Sequence, residues 1–397
     1  MQSLIELSNK RLGNIPTTFT RYLLNEIDWN DRLISIVGCR GSGKTTLMLQ
    51  HLKQTYGTGT KGLYISLDNI YFSKNLLTEI AEQFVKYGGK ALYVDEVHKY
   101  PNWSVELKNL YDNYPELKII FSGSSMLELY RGHGDLSRRL SSYTLPPLSF
   151  REFLDLEHKL SFLTLTLDEI LKEHETISHD ITAKIKPLVF FKEYLNFGAF
   201  PFFRENRSKY HERMLNVINM ILDYDLPSIT SIDYAHVLKI KMLLKIISEL
   251  VPYKPNISKL ATQTEIDRKT VLKYLDLLHR SGLIYLLNSP KSGDSRFVKP
   301  NKIYLGSPNF MFSLGEETPK TGTLRETFFC QQVAVKHAVH QSTQSDFLVD
   351  KKITFEIGGR KKKKNQIAKV ENSYIVSDDI EYGFANHIPL WMFGFLY

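Results

Sequence analysis

An apolar strand pattern, a glycine-rich turn and a helical pattern follow one another in the first 52 residues of this chain. Residues 33–37 read Leu-Ile-Ser-Ile-Val, which predicts a buried parallel strand, and residues 47–52 resume the apolar spacing of a helix. Between them, residues 38–46 read Gly-Cys-Arg-Gly-Ser-Gly-Lys-Thr-Thr and match the pattern G-x-x-x-x-G-K-[ST] at each fixed position. Because the pattern lies between the strand and the helix that it requires, the sequence predicts a phosphate-binding P-loop in an α/β domain.

The residues of this loop suit ATP and Mg²⁺ as cofactors. Glycine allows the positive φ angles with which backbone N–H groups can surround phosphate oxygens, and the helix start adds its positive dipole end. Lys44 is expected to reach the β- and γ-phosphates, and the Thr45 hydroxyl is expected to bind Mg²⁺. The alternative is a glycine-rich turn with a chance lysine. The predicted nucleotide-binding residues are Gly38, Arg40, Gly41, Ser42, Gly43, Lys44, Thr45 and Thr46.

Two adjacent acids, Asp95 and Glu96, follow the apolar strand pattern at residues 91–94. In P-loop enzymes the first acid of such a pair helps to hold Mg²⁺, and the second activates the attacking water as a general base. We therefore predict Asp95 as a metal residue and Glu96 as a catalytic residue. The alternative is an acid pair that is merely exposed at the end of a strand, and the complete P-loop upstream makes this alternative less favoured.

Two further features provide candidates for contacts with the γ-phosphate. Residues 118–125 predict a strand that ends in hydroxyl residues, of which Ser124 is the expected sensor and Ser122 the other choice. Ser124 could instead cap the next helix. The loop that follows leads to Arg138 and Arg139, and we predict Arg139 as a catalytic arginine offered to the nucleotide of a neighbouring copy. The alternative is that both arginines are surface charges.

Three short segments, together with the P-loop, carry a family resemblance. They read Tyr-Val-Asp-Glu-Val at residues 93–97, Phe-Ser-Gly-Ser-Ser at 121–125 and Leu-Pro-Pro-Leu-Ser-Phe-Arg-Glu-Phe at 145–153. With these segments the chain resembles prokaryotic AAA-type ATPases of the archaeal-ATPase-like family. That family combines an ATPase domain, a winged helix and a carboxy-terminal domain of unknown function that resembles PD-(D/E)xK nucleases.

The resemblance implies an α/β fold with an AAA- or RecA-like parallel sheet and three further parts. The expected domains are an AAA-type P-loop ATPase domain at residues 1–153, a helical lid and linker at 154–232, a winged helix-turn-helix at 233–292 and an α/β nuclease-like domain at 293–397.

Residues 233–292 show a helical pattern at 237–250, a short one at 257–261, a turn, a longer one at 269–278 and then an apolar strand pattern. This order is typical of a winged helix. On DNA its second helix would enter the major groove, with Arg268, Lys269 and Lys273 near the exposed face. The alternative is a winged helix that serves only packing or assembly.

The end segment contains acids at the spacing of the nuclease family. Glu326 lies in a helical pattern, and Asp346 and Glu356 lie at two neighbouring strand patterns. The resemblance implies that such acids hold Mg²⁺ and that a lysine two residues after Glu356 stabilises negative charge, but this position is Gly358. We therefore expect a nuclease-like fold without cleavage. The basic run at residues 360–364 could bind a phosphate backbone or could be a solvated turn.

The net charge, the cysteine count and the length of uncharged runs bear on the partners and location of the protein. The formal net charge is +8, which would suit nucleic acid but is also compatible with a merely soluble surface. The chain has two cysteines and no uncharged run near the roughly 20 residues that cross a bilayer, so we expect a cytoplasmic protein without a membrane partner.

The function that these patterns predict is Mg²⁺-dependent ATP hydrolysis coupled to the winged helix and the nuclease-like module. Nucleic acid, or an assembly associated with it, is the candidate target, and a second copy of the chain is a candidate partner. The alternatives are a slow nucleotide-gated protein-binding switch and an ATP-fed nuclease.

Overall fold

The computed structural model describes residues 1–123, 136, 138–227, 232–290, 298–315, 318–362 and 367–397. These residues form two compact units, Met1–Pro146 and Pro147–Tyr397, which we call the first unit and the second unit. The finer division into four domains stays a prediction.

The first unit contains a five-stranded sheet in which each pair of neighbouring strands is parallel. Its strand order is β2-β3-β4-β1-β5, so the strand that enters the P-loop lies inside the sheet and β2 lies at an edge. This sheet confirms the predicted α/β fold with a P-loop-type parallel sheet. The strands are β1 (Leu33–Val37), β2 (Gly62–Ser66), β3 (Ala91–Asp95), β4 (Lys118–Ser122) and β5 (Ser141–Thr144).

Helices cover both faces of this sheet, which explains why its inner strands are almost continuously apolar. Leu33 packs into the hydrophobic core on one face and Ile34 into the core on the other, as the alternation of a strand requires. Burial of each such side chain contributes about 1.5–3 kcal/mol. The helices are α1 (Gln2–Asn14), α2 (Leu23–Glu26), α3 (Lys44–Tyr56), α4 (Leu77–Lys86) and α5 (Trp103–Asn113).

The second unit begins with a group of helices. Ser149 and Glu152 form a capping box at the start of the first helix, and Thr166 and Glu169 do the same at the second. The helices are α6 (Phe150–His158), α7 (Leu167–Thr182), α8 (Pro187–Glu193), α9 (Tyr210–Met220) and α10 (Tyr234–Leu250), with π-helical turns at Tyr194–Gly198 and Ile221–Asp225.

Two shorter helices and an antiparallel hairpin come next. Asp267 caps the second of these helices by accepting hydrogen bonds from the backbone N–H groups of Lys269 and Thr270. The winged helix expected at residues 233–292 stays a prediction, and the second strand of this hairpin lies beyond those bounds. The elements are α11 (Ile257–Thr264), α12 (Arg268–Arg280), β6 (Ile284–Leu287) and β7 (Lys302–Leu305), followed by α13 (Pro308–Leu314).

The end segment forms a mixed sheet of order β12-β11-β10-β9-β8 after a long helix. The pairs β8–β9 and β9–β10 are antiparallel, whereas β10–β11 and β11–β12 are parallel. The elements are α14 (Thr321–Val333), β8 (Val339–Gln341), β9 (Phe347–Val349), β10 (Ile353–Gly358), β11 (Ser373–Ser377), β12 (His387–Pro389) and a 3₁₀ helix at Leu390–Phe395.

The segment at residues 145–153 has a structural role in the second unit. The Ser149 hydroxyl and the Arg151 Nε both donate to the backbone oxygen of Tyr397, at 2.7 and 3.0 Å. Phe150 packs edge-on against Phe395. The start of α6 therefore anchors residues 395–397. Within the described part of the chain, no helix has both the length and the apolar character needed to cross a membrane.

Candidate nucleotide-binding site

The P-loop connects β1 to α3 with a backbone that needs glycine. Gly38 has a φ of +150°, and a Cβ atom there would clash with the backbone oxygen of Leu145. Gly43 precedes α3 with a left-handed backbone at φ +97°. Residues other than glycine rarely adopt these backbone conformations. Gly38 thus allows the loop to approach the backbone that follows β5, and Gly43 allows the turn into α3.

Lys44 is the first residue of α3, and its ammonium binds back to the start of the P-loop. Its Nζ donates to the backbone oxygens of Gly38 and Cys39, both at 2.9 Å, and the residue is 6% exposed. Burial lowers the pKa of Lys44, while the negative charges of Glu96 and Asp95 act in the opposite direction. The ammonium is therefore held inside the loop, where an incoming phosphate can replace the two carbonyl groups as its partner.

Arg21 supports the loop from outside the motif, and sequence reasoning missed it. Its guanidinium is buried and donates to the backbone oxygens of Ser42, at 2.6 Å, and Pro146, at 2.8 Å. A charged group is rarely buried unless it is paired or fully hydrogen-bonded. The available signal was one arginine in front of the apolar pattern at residues 22–27, and that signal is weak.

Asp95, at the end of β3, is the centre of a hydrogen-bond network. Its Oδ2 accepts from the Thr45 hydroxyl at 2.7 Å and from the Tyr64 hydroxyl at 2.8 Å. Its Oδ1 accepts from the Ser122 hydroxyl and from the backbone N–H of Glu96 at 3.1 Å. The structure thus brings Thr45 and Asp95 together, as expected, and places Ser122 on this carboxylate. Ser124 lies outside the described residues.

The oxygen donors of this network fit Mg²⁺. Thr45 is half-buried and lies one residue after Lys44, so its hydroxyl and the Asp95 carboxylate border the same loop. Hydroxyl and carboxylate oxygens are the ligands that Mg²⁺ prefers in nucleotide sites. The loop backbone, the lysine and these two oxygens together form an arrangement that can hold a triphosphate and its cation.

Glu96 follows Asp95 in a left-handed conformation at φ +54°. For a residue other than glycine, asparagine or aspartate this conformation is uncommon, and such strain is often found at functional sites. Its Oε2 lies 3.4 Å from the Nε2 of His98. Burial, followed by the charges of Lys99, Lys44 and Arg40, lowers the pKa of His98 to about 3, so this imidazole is neutral at pH 7.

The remaining predicted residues of the first unit have mixed surroundings. Arg40 is half-buried, whereas Thr46 and Arg138 are exposed. Arg139 forms a two-pronged ion pair with Asp112 of α5, with distances of 2.9 and 3.2 Å. This contact gives Arg139 a partner within its own unit, and its predicted role towards another copy stays a prediction.

In the second unit, Glu326 and Asp346 are connected through Lys302 of β7, whose Nζ lies 3.3 Å from a Glu326 oxygen and 3.7 Å from an Asp346 oxygen. The Tyr304 hydroxyl donates to Glu326 at 2.7 Å. Burial raises the pKa of Asp346 to about 6, and the charge of Glu326 adds to this shift. Sequence reasoning missed Lys302, which is 24 residues from Glu326.

Glu356 has a lysine partner despite the glycine at position 358. The ammonium of Lys362 forms an ion pair with Glu356, and the Lys362 stem lies over Gly358, where a Cβ would meet its Cγ at 2.6 Å. Lys362 thus takes the space that a side chain at position 358 would need. In the described ranges, no group of three or more His, Cys, Asp or Glu side chains is arranged to hold a metal ion.

The predicted basic residues of α12 lie on one surface. Arg268, Lys269 and Lys273 are all exposed, while Val271 and Tyr274 of the same helix are buried. The helix therefore has a basic outer face and an apolar inner face.

Two protein-family models match parts of this chain. Residues 30–154 match the model of a family described as an AAA domain. Residues 190–309 match a family described as a domain of unknown function, DUF8612. The AAA-domain match, together with the site geometry, supports an ATP-binding, AAA-type P-loop ATPase.

The individual proteins that resemble this chain have low sequence identity to it. An uncharacterized protein of Methanocaldococcus jannaschii is 27% identical over 289 residues, which are 69% of this chain and 61% of that protein. This chain thus spans less than two thirds of that relative. A Walker-type ATPase of Pyrococcus abyssi is 14% identical, with a TM-score of 0.43 over 76% of this chain and 99% of the other. AMPPCP-bound DnaA from Aquifex aeolicus is 16% identical, with a TM-score of 0.27 over 69% and 86%.

Proposed function

We propose that this protein is a Mg²⁺-dependent ATPase whose site is the P-loop of the first unit. The observation that carries the proposal is the hydrogen bond from the Thr45 hydroxyl, at the start of α3, to Asp95, at the end of β3, beside the Lys44 ammonium that lies in the loop. A chance glycine-rich turn would not bring an aspartate to the hydroxyl that follows its lysine.

Each residue of the site has a role that follows from its position. The loop N–H groups and the Lys44 ammonium bind the phosphates, and Thr45 and Asp95 would hold Mg²⁺, which supplies neutralisation of the charge that develops on the phosphate oxygens. A carboxylate oxygen of Glu96 takes the proton of the water that attacks the γ-phosphorus, while the bond to ADP breaks.

The Lys44→Ala variant tests this proposal. Because it removes one cationic donor to the phosphates, we expect steady-state ATP turnover to fall by about 10²–10³-fold. Lys74→Ala, at an exposed lysine of the same unit, is the matched control and should keep normal turnover. An unchanged rate in Lys44→Ala would contradict the proposal.

We further propose that α12 contacts nucleic acid. Its three exposed basic side chains, carried by a helix of 13 residues in the winged-helix order of elements, support this. The runner-up is a slow, nucleotide-gated switch that contacts a protein, in which case α12 is a packing surface.

Duplex DNA binding at two salt concentrations separates these functions. Replacement of Arg268, Lys269 and Lys273 by glutamine should weaken binding and reduce the salt slope, by about 0.9 for each phosphate that the helix no longer neutralises. The control replaces Lys184, Lys186 and Lys192, which are exposed in the same unit, by glutamine. Absence of binding at low salt, with and without ATP, would favour the protein-binding switch.

For the end segment we propose a nuclease-like module that does not cleave. Gly358 stands in place of the expected lysine, and Glu326, Asp346 and Glu356 already have lysine partners, which supports this proposal. The position of Lys362 over Gly358 is the one observation that favours cleavage instead. Supercoiled plasmid should remain intact with Mg²⁺ or Mn²⁺ while the protein consumes ATP, and nicking that is abolished in Glu356→Gln would show a nuclease.

A further inference from the structure

Tyr64 connects the helix α1 to the metal-site carboxylate. It lies in β2, at the edge of the sheet, and its hydroxyl donates to Asp95 Oδ2 at 2.8 Å. The same hydroxyl accepts from Arg11 Nη1 of α1 at 2.8 Å, and the Arg11 guanidinium lies 5.0 Å from the centre of the tyrosine ring. A tyrosine hydroxyl has one proton and can accept through its lone pairs, so both hydrogen bonds can exist together.

Helix α1 is attached by two further hydrogen bonds, one to β2 and one to the turn that precedes it. The hydroxyl of Ser8 accepts from the backbone N–H of Tyr64 at 3.0 Å, and the Asn9 side chain accepts from the N–H of Gly59 at 2.9 Å. Tyr64 and Ser8 are both buried. Arg11 therefore reaches Tyr64 from a helix whose position relative to β2 is fixed.

We propose that Tyr64, supported by Arg11, is a positioning residue that holds Asp95 in the orientation needed for Mg²⁺-nucleotide, so that the placement of α1 sets the affinity of the site. The inference rests on the proposed ATPase function.

The physical basis is the rotation of a carboxylate. Asp95 can turn about its Cβ–Cγ bond, and Tyr64 and Thr45 fix the same oxygen, Oδ2, from two sides. A charged donor such as Arg11 polarises the tyrosine hydroxyl and strengthens the hydrogen bond that the hydroxyl donates. If the Thr45 hydroxyl were to bind Mg²⁺ and its hydrogen bond to Asp95 weakened, Tyr64 would still hold Oδ2 in place.

The test compares Tyr64→Phe with Tyr93→Phe. Tyr93 is paired with Tyr64 in the sheet register, packs in the same core and is fully buried, but its hydroxyl contacts His51 at 2.7 Å instead of Asp95. Both variants remove one buried hydroxyl and keep the ring. The readout is the Kd of a fluorescent ADP analogue, measured in Mg²⁺ and in EDTA, with the thermal unfolding midpoint recorded for each variant.

We expect Tyr64→Phe to raise the Kd roughly tenfold in Mg²⁺, because a hydrogen bond to a charged group is removed, and to leave the Kd in EDTA unchanged. Tyr93→Phe should change neither value. Arg11→Met should cause a smaller rise in Mg²⁺, and its effect should be absent in a Tyr64→Phe background.

Two outcomes contradict the inference in different ways. If the wild type binds the analogue more tightly with Mg²⁺ and Tyr64→Phe matches Tyr93→Phe, the positioning role is wrong and the ATPase proposal stands. If the wild type shows no Mg²⁺-dependent binding, both proposals are wrong.

Discussion

Glu96 combines a strained backbone with a position next to the metal-site acid. In Glu96→Gln the side chain keeps its shape, but the amide cannot accept a proton from water. We expect nucleotide affinity within about twofold of the wild type and a turnover lower by about 10²–10⁴-fold. Nucleotide titration and steady-state ATPase assays measure the two quantities. Glu116→Gln, at an exposed acid of the same unit, is the control. Loss of nucleotide binding in Glu96→Gln would show that Glu96 has a structural role instead.

His98 and His51 make the first unit sensitive to acid. Burial lowers the pKa of His98 to about 3 and that of His51 to about 4, from an ordinary value of 6.5. At a pH between the lowered pKa of the folded state and 6.5, the unfolded chain binds more protons than the folded chain. The free energy of unfolding therefore falls as the pH drops below 6.5. Each histidine should cost about 2 kcal/mol between pH 7.5 and 5.0.

His98→Gln tests this pH dependence. Because glutamine does not titrate, the variant should lose less stability than the wild type between pH 7.5 and 5.0, whatever its stability at pH 7.5. Urea unfolding at the two pH values gives the difference. His179→Gln, at an exposed histidine, should follow the wild type. An equal loss in His98→Gln and the wild type would mean that this imidazole titrates normally.

At this scale the sequence predicts site residues only where they belong to contiguous motifs. Lys44, Thr45, Asp95 and Glu96 lie in patterns whose chemistry is specific. Arg11 and Tyr64 were not found, because their contact joins positions 53 residues apart and depends on how α1 packs on β2. Lys302 was missed for the same reason, since the spacing of a motif does not show which distant cation pairs with its acids. Lys362 lies in the basic run at residues 360–364, but the sequence did not show that its ammonium pairs with Glu356.

Asn309 holds two elements of the second unit together. Its Nδ2 donates to the backbone oxygens of Tyr194 and Leu195, in the π-helical turn, at 3.0 and 2.8 Å. Its Oδ1 accepts from the Ala199 N–H at 2.8 Å and the Tyr210 hydroxyl at 2.7 Å. A π-helical turn shifts the backbone pairing by one residue, and the buried amide of α13 satisfies the groups left over.

Asn309→Ala should destabilise the second unit by about 3–5 kcal/mol, because four buried polar groups each lose a hydrogen bond. Urea unfolding measures this change. The control is Asn113→Ala, at the exposed last residue of α5, which should change stability by less than about 0.5 kcal/mol. A small effect of Asn309→Ala would show that water replaces the amide.

The elements themselves were predictable to different degrees. The apolar pattern located β1 at residues 33–37, the bounds that the structure has, because that strand is buried on both faces. The π-helical turns were not predicted, because a helical pattern does not reveal a single shifted hydrogen bond. Strands β8 and β12 have three residues each, too few for a periodic signal.

Across the whole molecule, Arg139 offers a test for association between copies. If Arg139 leaves Asp112 and reaches the nucleotide of a neighbour, the ATPase rate per chain should rise with protein concentration. Arg139→Ala should remove this rise without a change in nucleotide affinity, whereas Arg138→Ala should retain it. Turnover over a hundredfold range of concentration measures the effect. A rise that persists in Arg139→Ala would exclude this arginine as the residue supplied in trans.

The position of α1 has a further consequence, for aggregation. An unprotected edge strand can pair with strands of other molecules, and β2 lies at an edge of its sheet. Here a serine hydroxyl of the helix occupies the N–H of Tyr64, so the helix shields the border of the sheet. Deletion of residues 1–14 would expose the edge of β2. Molecules of the truncated protein would then associate through intermolecular β-pairing into insoluble polymers.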